Sequence, residues 1–131
     1  MSSTADSPPH ILTVMGSTRQ GRFGETVARR IFPMVQSRDD FTAELVDLRD
    51  WSFPYYDRPS PASATTESDY EPETLPWARL VSKADGFLII TPEYNRGYPA
   101  VLKSALDAVY AAWNRKPVAF VTAARPHRVY A

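Results

Sequence analysis

The sequence contains no cysteine. Disulfides, thiolate catalysis and cysteine-ligated zinc or iron–sulfur centres are therefore excluded. Its two histidines, His10 and His127, argue against a multi-histidine metal site. An excess of either charge is also lacking: 15 basic residues balance 15 acidic ones. No overall field favours nucleic acid, an acidic polymer or an anionic membrane. No apolar run approaches the roughly 18 residues of a membrane-spanning helix. The start, Met1–Pro9, is polar and shows no basic region followed by an apolar stretch, so it does not resemble a secretory signal. It reads as a disordered tail, and the location as cytoplasmic by default. Glycine is scarce, at 5, whereas the 12 prolines are spread without a repeat and serve as punctuation between elements. What is present suits one domain: 131 residues, 44% hydrophobic and 23% charged. Leu, Ile, Val and Phe number 28 of the 131 residues, which makes the core a modest one.

The chain alternates two periodicities. His10–Gly16 is nearly all apolar, with Ile11, Leu12 and Val14 suited to a strand buried on both faces. Val27, Ile31 and Met34 or Val35 recur at helical steps over about Gly24–Ser37, and Pro33 should kink or end that helix near Phe32. Phe41–Leu48 alternates as a strand, with Ala43, Leu45 or Val46, and Leu48 on the apolar side. Arg49–Glu73 shows no sustained period and holds Pro54, Pro59, Pro61 and Pro72; it reads as a long loop, functional or mobile. Leu75–Ala84 is a short helix and Phe87–Ile90 a central strand. Pro99 suits the first position of a helix whose apolar face runs from Leu102 to Trp113 and which Lys116-Pro117 closes. Val118–Val121 is a fourth strand. Strands and helices in alternation, with continuous apolar strands, predict a parallel α/β sheet covered on both faces. Ligands of such sheets sit beyond the carboxyl ends of the strands.

Three segments lie there, Gly16–Gly24, Thr91–Tyr98 and Thr122 onward, and the first two carry recognisable chemistry. Gly16-Ser-Thr-Arg-Gln-Gly-Arg-Phe-Gly24 joins the first strand to a helix. Gly16, Gly21 and Gly24 let the backbone approach a ligand closely. Ser17 and Thr18 offer hydroxyls, Arg19 and Arg22 planar cationic donors, and the helix start adds free N–H groups. This is a phosphate cradle or, more plainly, a βα turn with surface arginines. It matches neither GxxxxGK[ST] nor GxGxxG. Thr91-Pro-Glu-Tyr-Asn-Arg-Gly-Tyr-Pro99 follows the central strand. Its prolines stiffen it, Gly97 permits a left-handed turn, Tyr94 and Tyr98 offer flat faces, and Asn95 offers an amide. The alternative is a rigid turn whose tyrosines cap the core. Together the loops suit a phosphorylated planar cofactor.

Both segments resemble the NADPH-dependent FMN reductases, the flavodoxin-like group of quinone, azo-dye and chromate reductases. Gly16–Arg22 looks like that family's GSxR phosphate loop, and Thr91–Asp107 like its PEYNxGxPxxLKxALD segment; Lys116–Val121 is similar to the strand that follows. The likeness spans roughly residues 10–121. It implies a flavodoxin-like sheet holding FMN, its phosphate on Ser17, Arg19 and the following backbone of Thr18, Gly21, Arg22, Phe23 and Gly24. It places Pro92, Glu93, Tyr94 and Asn95 along the isoalloxazine, with Gly97 in the same loop. It implies hydride transfer from NADH or NADPH to the flavin, then electrons to a quinone, nitro, azo or flavin acceptor. No catalytic side chain is implied beyond Tyr94 at the flavin face, and no metal, nucleic acid or membrane partner. The expected assembly is a homodimer or dimer of dimers.

The family continues after its fourth strand with a glycine-rich loop, a helix, a fifth strand and a last helix. Thr122–Ala131 shows no glycine and no period. The chain therefore reads as C-terminally truncated: a tail at residues 1–9, an incomplete domain at 10–121 and an irregular tail at 122–131. Four strands of the order 2-1-3-4-5 would leave the fourth as an apolar edge. A non-enzymatic remnant binding flavin weakly, or a subunit binding it only within an oligomer, is the alternative. A flavodoxin-type electron carrier fits the neutral charge less well. Lys103 and Asp107 are spaced for a helical ion pair, solvated or at a subunit interface. Tyr110 and Trp113 are read as core or dimer packing. Trp51, Phe53, Tyr55 and Tyr56 either pack under the long loop or cover a partner's site. His10 is read as a tail residue.

Overall fold

The first apolar run forms β1 (His10–Met15) in the computed structural model, which describes residues 7–123. The expectations for residues 1–6 and 124–131, His127 among them, lie outside the described residues. After β1 come α1 (Gly24–Gln36), β2 (Thr42–Asp47), α2 (Leu75–Lys83), β3 (Gly86–Pro92), α3 (Ala100–Asp107) and β4 (Val118–Ala123). All strand pairs are parallel and the order is β2-β1-β3-β4, so β1 and β3 are central. This is the flavodoxin-like sheet that the sequence predicts, with four strands among the described residues. No described helix is long and apolar enough to cross a membrane.

The pleat sends alternate residues to opposite faces. Leu12 and Val14 join Phe87 and Ile89 under α2 and α3, where Trp77, Ala78, Val81, Leu102 and Ala105 are buried. Met15 and Ile90 point the other way and meet Ala28 of α1. The larger core is built on Trp77, which is 0% exposed and donates from Nε1 to the carbonyl oxygen of Ala105 at 2.9 Å. Trp51 and Phe53 both meet its ring edge-on at 5.1 Å. Of the aromatic cluster that opens the long loop, these two pack beneath it, whereas Tyr55 is 84% exposed. The loop itself contains three short 3-10 turns, Leu48–Asp50, Ala62–Ala64 and Glu67–Asp69.

Four expectations are corrected. Of the two outcomes expected at Pro33, an end near Phe32 does not occur, and the helix runs on to Gln36. Pro33 and Arg29, whose carbonyl would have bonded the missing N–H, are both exposed, so water can replace that bond. The last helix does not reach Trp113: α3 stops at Asp107 and a 3-10 turn follows at Ala111–Trp113. The break seats the Trp113 ring 4.6 Å from Phe87 and 6.0 Å from Trp77, so core packing overrides the helical period. Lys116 therefore closes a different helix. Its ammonium donates to the carbonyls of Val81 and Ser82 at the end of α2, 2.9 Å each, and burial pushes its pKa down. His10 is no tail residue but the first residue of β1, its ring bonded to the Thr42 hydroxyl at 2.9 Å. In β2, Val46 rather than Leu45 takes the buried position. Lys103 and Asp107 do pair, with both side chains largely exposed.

Candidate functional site

The loops after β1 and β3 meet at the carboxyl edge of the sheet and enclose a cleft of about 210 Å³. Of the residues singled out from sequence, the cleft brings together Ser17, Arg19, Arg22, Phe23 and Gly24 from one loop and Pro92, Glu93 and Tyr94 from the other. Thr18, Gly21, Asn95 and Gly97 do not line it. Ile90 and Thr91, the end of the central strand, line it and were not foreseen. Their position at a strand's carboxyl end was the available signal.

The three loop glycines have different reasons. A Cβ on Gly16 would lie 3.1 Å from Leu102 Cδ2, 3.2 Å from the Ile90 carbonyl oxygen and 3.3 Å from Thr91 Cβ. Gly16 approaches β3 closely, and its N–H also bonds the Ile90 carbonyl at 2.8 Å. Gly16→Ala is expected to cost about 1–3 kcal/mol by overpacking. Urea unfolding checks it, and a midpoint equal to wild type would contradict the contact. Gly21 has φ +62, the left-handed region that glycine enters freely. A Cβ on Gly24 meets only ordinary contact, so no steric demand of the protein requires glycine there.

The second loop turns differently from expectation. Tyr94 and Gly97 exchange two backbone hydrogen bonds, of 2.8 and 2.9 Å, around Asn95 and Arg96. The positive φ values fall on those two, +50 and +64, and not on Gly97. That is the pattern of a two-residue primed turn. Asn tolerates the left-handed region by bonding locally; Arg96 has no such excuse and is held there by the paired bonds.

Two buried oxygens in this region lack a partner among the described residues: Ser17 Oγ and Tyr94 Oη. Buried hydroxyls are normally bonded, so both are poised for a ligand or water. No side chain caps the start of α1, where the first-turn N–H groups carry a positive partial charge. Glu25 sits in that turn, but it pairs with Arg29 at 2.9 Å and Arg49 at 3.7 Å. Its charge is thus offset.

Arg22 lines the cleft yet is already engaged. Its side chain is 3% exposed and bridges Asp47 of β2 with two nitrogens, while one of them also donates to the Ser17 carbonyl. The Arg22 hydrogen bonds hold the Asp47 carboxyl below the usual carboxylate range, helped by the Arg49 N–H and opposed by burial. The same pairing raises the Arg22 pKa. Arg22 is therefore a strut behind the loop more than a free anion donor. Arg19 is the exposed one, its guanidinium folded back on the carbonyls of Gln20 and Gly21 at 3.2 and 3.3 Å. Asp47 and Arg49, which sequence reasoning did not single out, do not line the cleft but bond to its first loop, Asp47 through Arg22 and Arg49 through the Arg19 carbonyl. They stand at the end of the neighbouring strand, and nothing in their local pattern tells which loop they touch.

Residues 9–129 match the family described as NADPH-dependent FMN reductase. An NAD(P)H-dependent FMN reductase of Schizosaccharomyces pombe is 40% identical over 114 residues, covering 87% of this chain and 57% of the relative. A 2-hydroxy-1,4-benzoquinone reductase of a Burkholderia species is 34% identical over 105 residues, covering 80% and 52%. This chain thus spans little more than half the length of these curated relatives. Among solved structures, a flavoenzyme NAD(P)H:(acceptor) oxidoreductase of Paracoccus denitrificans superposes with a TM-score of 0.65 at 24% identity, over 87% of this chain and 60% of that one. At that identity the likeness establishes the fold.

Proposed function

The chain belongs to the NADPH-dependent FMN reductase family, and on that premise we propose that its cleft holds FMN and passes electrons from NADH or NADPH to a small acceptor of the quinone, nitro, azo or flavin class. The observation that carries this reading is the orphaned, buried Ser17 Oγ, whose residue lines the same cleft as Phe23 and Gly24 at the uncapped start of α1. An anion there would receive the hydroxyl proton and the first-turn amides together, as phosphates do at helix starts. Arg19 can exchange its weak bonds to the loop carbonyls for a charge-assisted pair with a phosphate oxygen. Thr18, Gly21, Phe23 and Gly24 complete the strand-to-helix loop that carries these donors. The residues present therefore fit a phosphorylated ligand.

Pro92, Glu93 and Tyr94 supply the stiff wall for a planar group, and the primed turn at Asn95–Gly97 holds that wall in place. Held by these residues, a flavin would supply the redox chemistry, hydride acceptance from a nicotinamide and electron release to an acceptor. The chain's task is to bind, orient and shield, and no side chain has to move a proton for hydride transfer. The 210 Å³ cleft is below the roughly 300–1,000 Å³ of pockets that enclose a small molecule. A flavin would extend out of it along exposed chain. Phe23, Tyr55 and Tyr98 are 62%, 84% and 53% exposed, and burying such aromatics supports a homodimer or dimer of dimers in which a second copy covers the ring.

A second reading is a flavin-binding subunit without turnover of its own. It is favoured by β4, where Val118 and Phe120 are 50% and 58% exposed on the outer strand of the described sheet. One set of measurements separates the two. FMN titrated into the protein should lose fluorescence, and NAD(P)H should be consumed with a quinone present. Binding without consumption selects the second reading; neither binding nor consumption removes both. Arg19→Ala should weaken FMN binding about 10–100-fold, the worth of a charge-assisted hydrogen bond of about 1.5–3 kcal/mol. Unchanged affinity would refute the assignment of Arg19 to the phosphate.

A further inference from the structure

We infer that the corner after β2, through Asp47 and Arg49, positions the phosphate loop, turning the amides of Thr18 and Gln20 towards an anion. The inference rests on the reading of Ser17–Gly24 as a phosphate site. The two loop carbonyls that flank this stretch are both gripped from the same corner. Arg22, locked by Asp47, donates to the Ser17 carbonyl. Arg49 donates to the Arg19 carbonyl at 2.9 Å. The corner is itself tied together, because the Arg49 N–H donates to Asp47 Oδ1 at 2.9 Å.

The consequence follows from peptide geometry. No cis peptide is present among the described residues, and in a trans peptide the C=O of one residue and the N–H of the next point in opposite directions. Holding the Ser17 and Arg19 carbonyls towards two guanidinium groups turns the Thr18 and Gln20 N–H groups away from those positive charges. Neither N–H has a backbone partner among the described residues. Together with Ser17 Oγ, buried and likewise without a partner among the described residues, they give one short loop three unpaired donors, the makings of a backbone nest for an anion. Without the corner, the loop carbonyls are free to rotate towards the cleft and repel a phosphate. Asp47 thus touches no ligand, yet it decides which face of two peptide planes the ligand meets.

Asp47→Asn tests this, because the amide oxygen can still accept from Arg49 N–H and Arg22 while the charge is lost. FMN and riboflavin, which lacks the phosphate, serve as paired fluorescence probes. The expected result is a loss of FMN affinity on the order of tenfold, the usual effect of removing a support behind a ligand contact, with riboflavin affinity unchanged. Arg49→Met should act in the same direction. Equal losses for both flavins would mean general loosening and overturn the inference, as would no loss for either. Inorganic phosphate followed by amide chemical shifts gives an independent reading. It should move the Thr18 and Gln20 resonances in the wild type and much less in Asp47→Asn. If flavin fails to bind the wild type but phosphate still moves those amides, the flavin reading fails and this inference stands. If phosphate moves neither amide, the inference fails.

Discussion

Replacing Trp77 by alanine is expected to lower stability by about 3–5 kcal/mol, the range for truncating a buried large aromatic. Domains of this size have about 5–15 kcal/mol in all, so the variant should sit near the edge of folding. Trp77 is placed where three parts of the chain converge. It comes from α2, its indole N–H is satisfied by Ala105 of α3, and Trp51, Phe53 and Trp113 pack round its ring. Truncation removes the ring and also leaves the start of the long loop, Trp51 and Phe53, without its anchor. Trp77→Phe separates the two terms: it keeps most of the apolar area and forfeits the hydrogen bond, for about 1–3 kcal/mol including the unpaired carbonyl. Urea unfolding monitored by circular dichroism reads both. A Trp77→Ala cost below that of Trp77→Phe would contradict the packing argument.

Asp47→Ala is expected to be as severe, about 3–5 kcal/mol, because it takes the hydrogen-bonded counter-charge from the Arg22 guanidinium, 3% exposed, and leaves it only the more distant Glu25 at 4.0 Å. The pair as a unit is worth far less than that, since both charges were desolvated to make it. Asp47→Leu combined with Arg22→Met should therefore recover most of the loss, and a double-mutant cycle should show strong coupling. Simple additivity would mean that the two side chains do not depend on each other. The same pair sets an acid dependence. The folded Asp47 carboxyl lies below its unfolded value, chiefly through the Arg22 hydrogen bonds. Its contribution is complete above the unfolded carboxylate pKa of about 3.9 and is lost as pH falls through the depressed folded value. Between those two values the wild type should lose stability while the Asp47→Leu, Arg22→Met variant should lose less. Equal slopes in urea titrations at several acid pH values would exclude this origin.

Much of the site was legible because its chemistry is local. The run from Gly16 to Gly24 between an apolar strand and an amphipathic helix marks a βα loop by composition alone, and the structure sets Ser17, Arg19, Phe23 and Gly24 beside the cleft. The segment after β3 was equally plain, through its prolines and tyrosines. The misplacements share one cause. Gly97 looked like the left-handed residue because glycine is the usual occupant, yet paired backbone bonds force that conformation on Asn95 and Arg96. Arg22 and Arg19 look equivalent in sequence, three residues apart on one loop. Only the arrival of Asp47 from a neighbouring strand makes one a buried strut and leaves the other exposed. Helix α3 was read too long because its apolar period continues to Trp113, and a period cannot record that Trp77 and Phe87 require that ring at another angle.

By itself the sequence determined the alternation of elements, the parallel α/β class, the two loops that bear the chemistry and the family likeness. Those depend on periodicity, turn residues and short motifs, which act over a few residues and survive in any context. The tertiary structure decided which arginine is locked against Asp47 and which stays exposed, which buried hydroxyls lack a partner among the described residues, and where helix α3 stops. Each of those outcomes depends on groups far apart in the chain, as Asp47 is from Arg22 and Trp77 from Ala105. A buried charge must meet its counter-charge and a buried ring its neighbours, and the strand order, not the local pattern, brings them together.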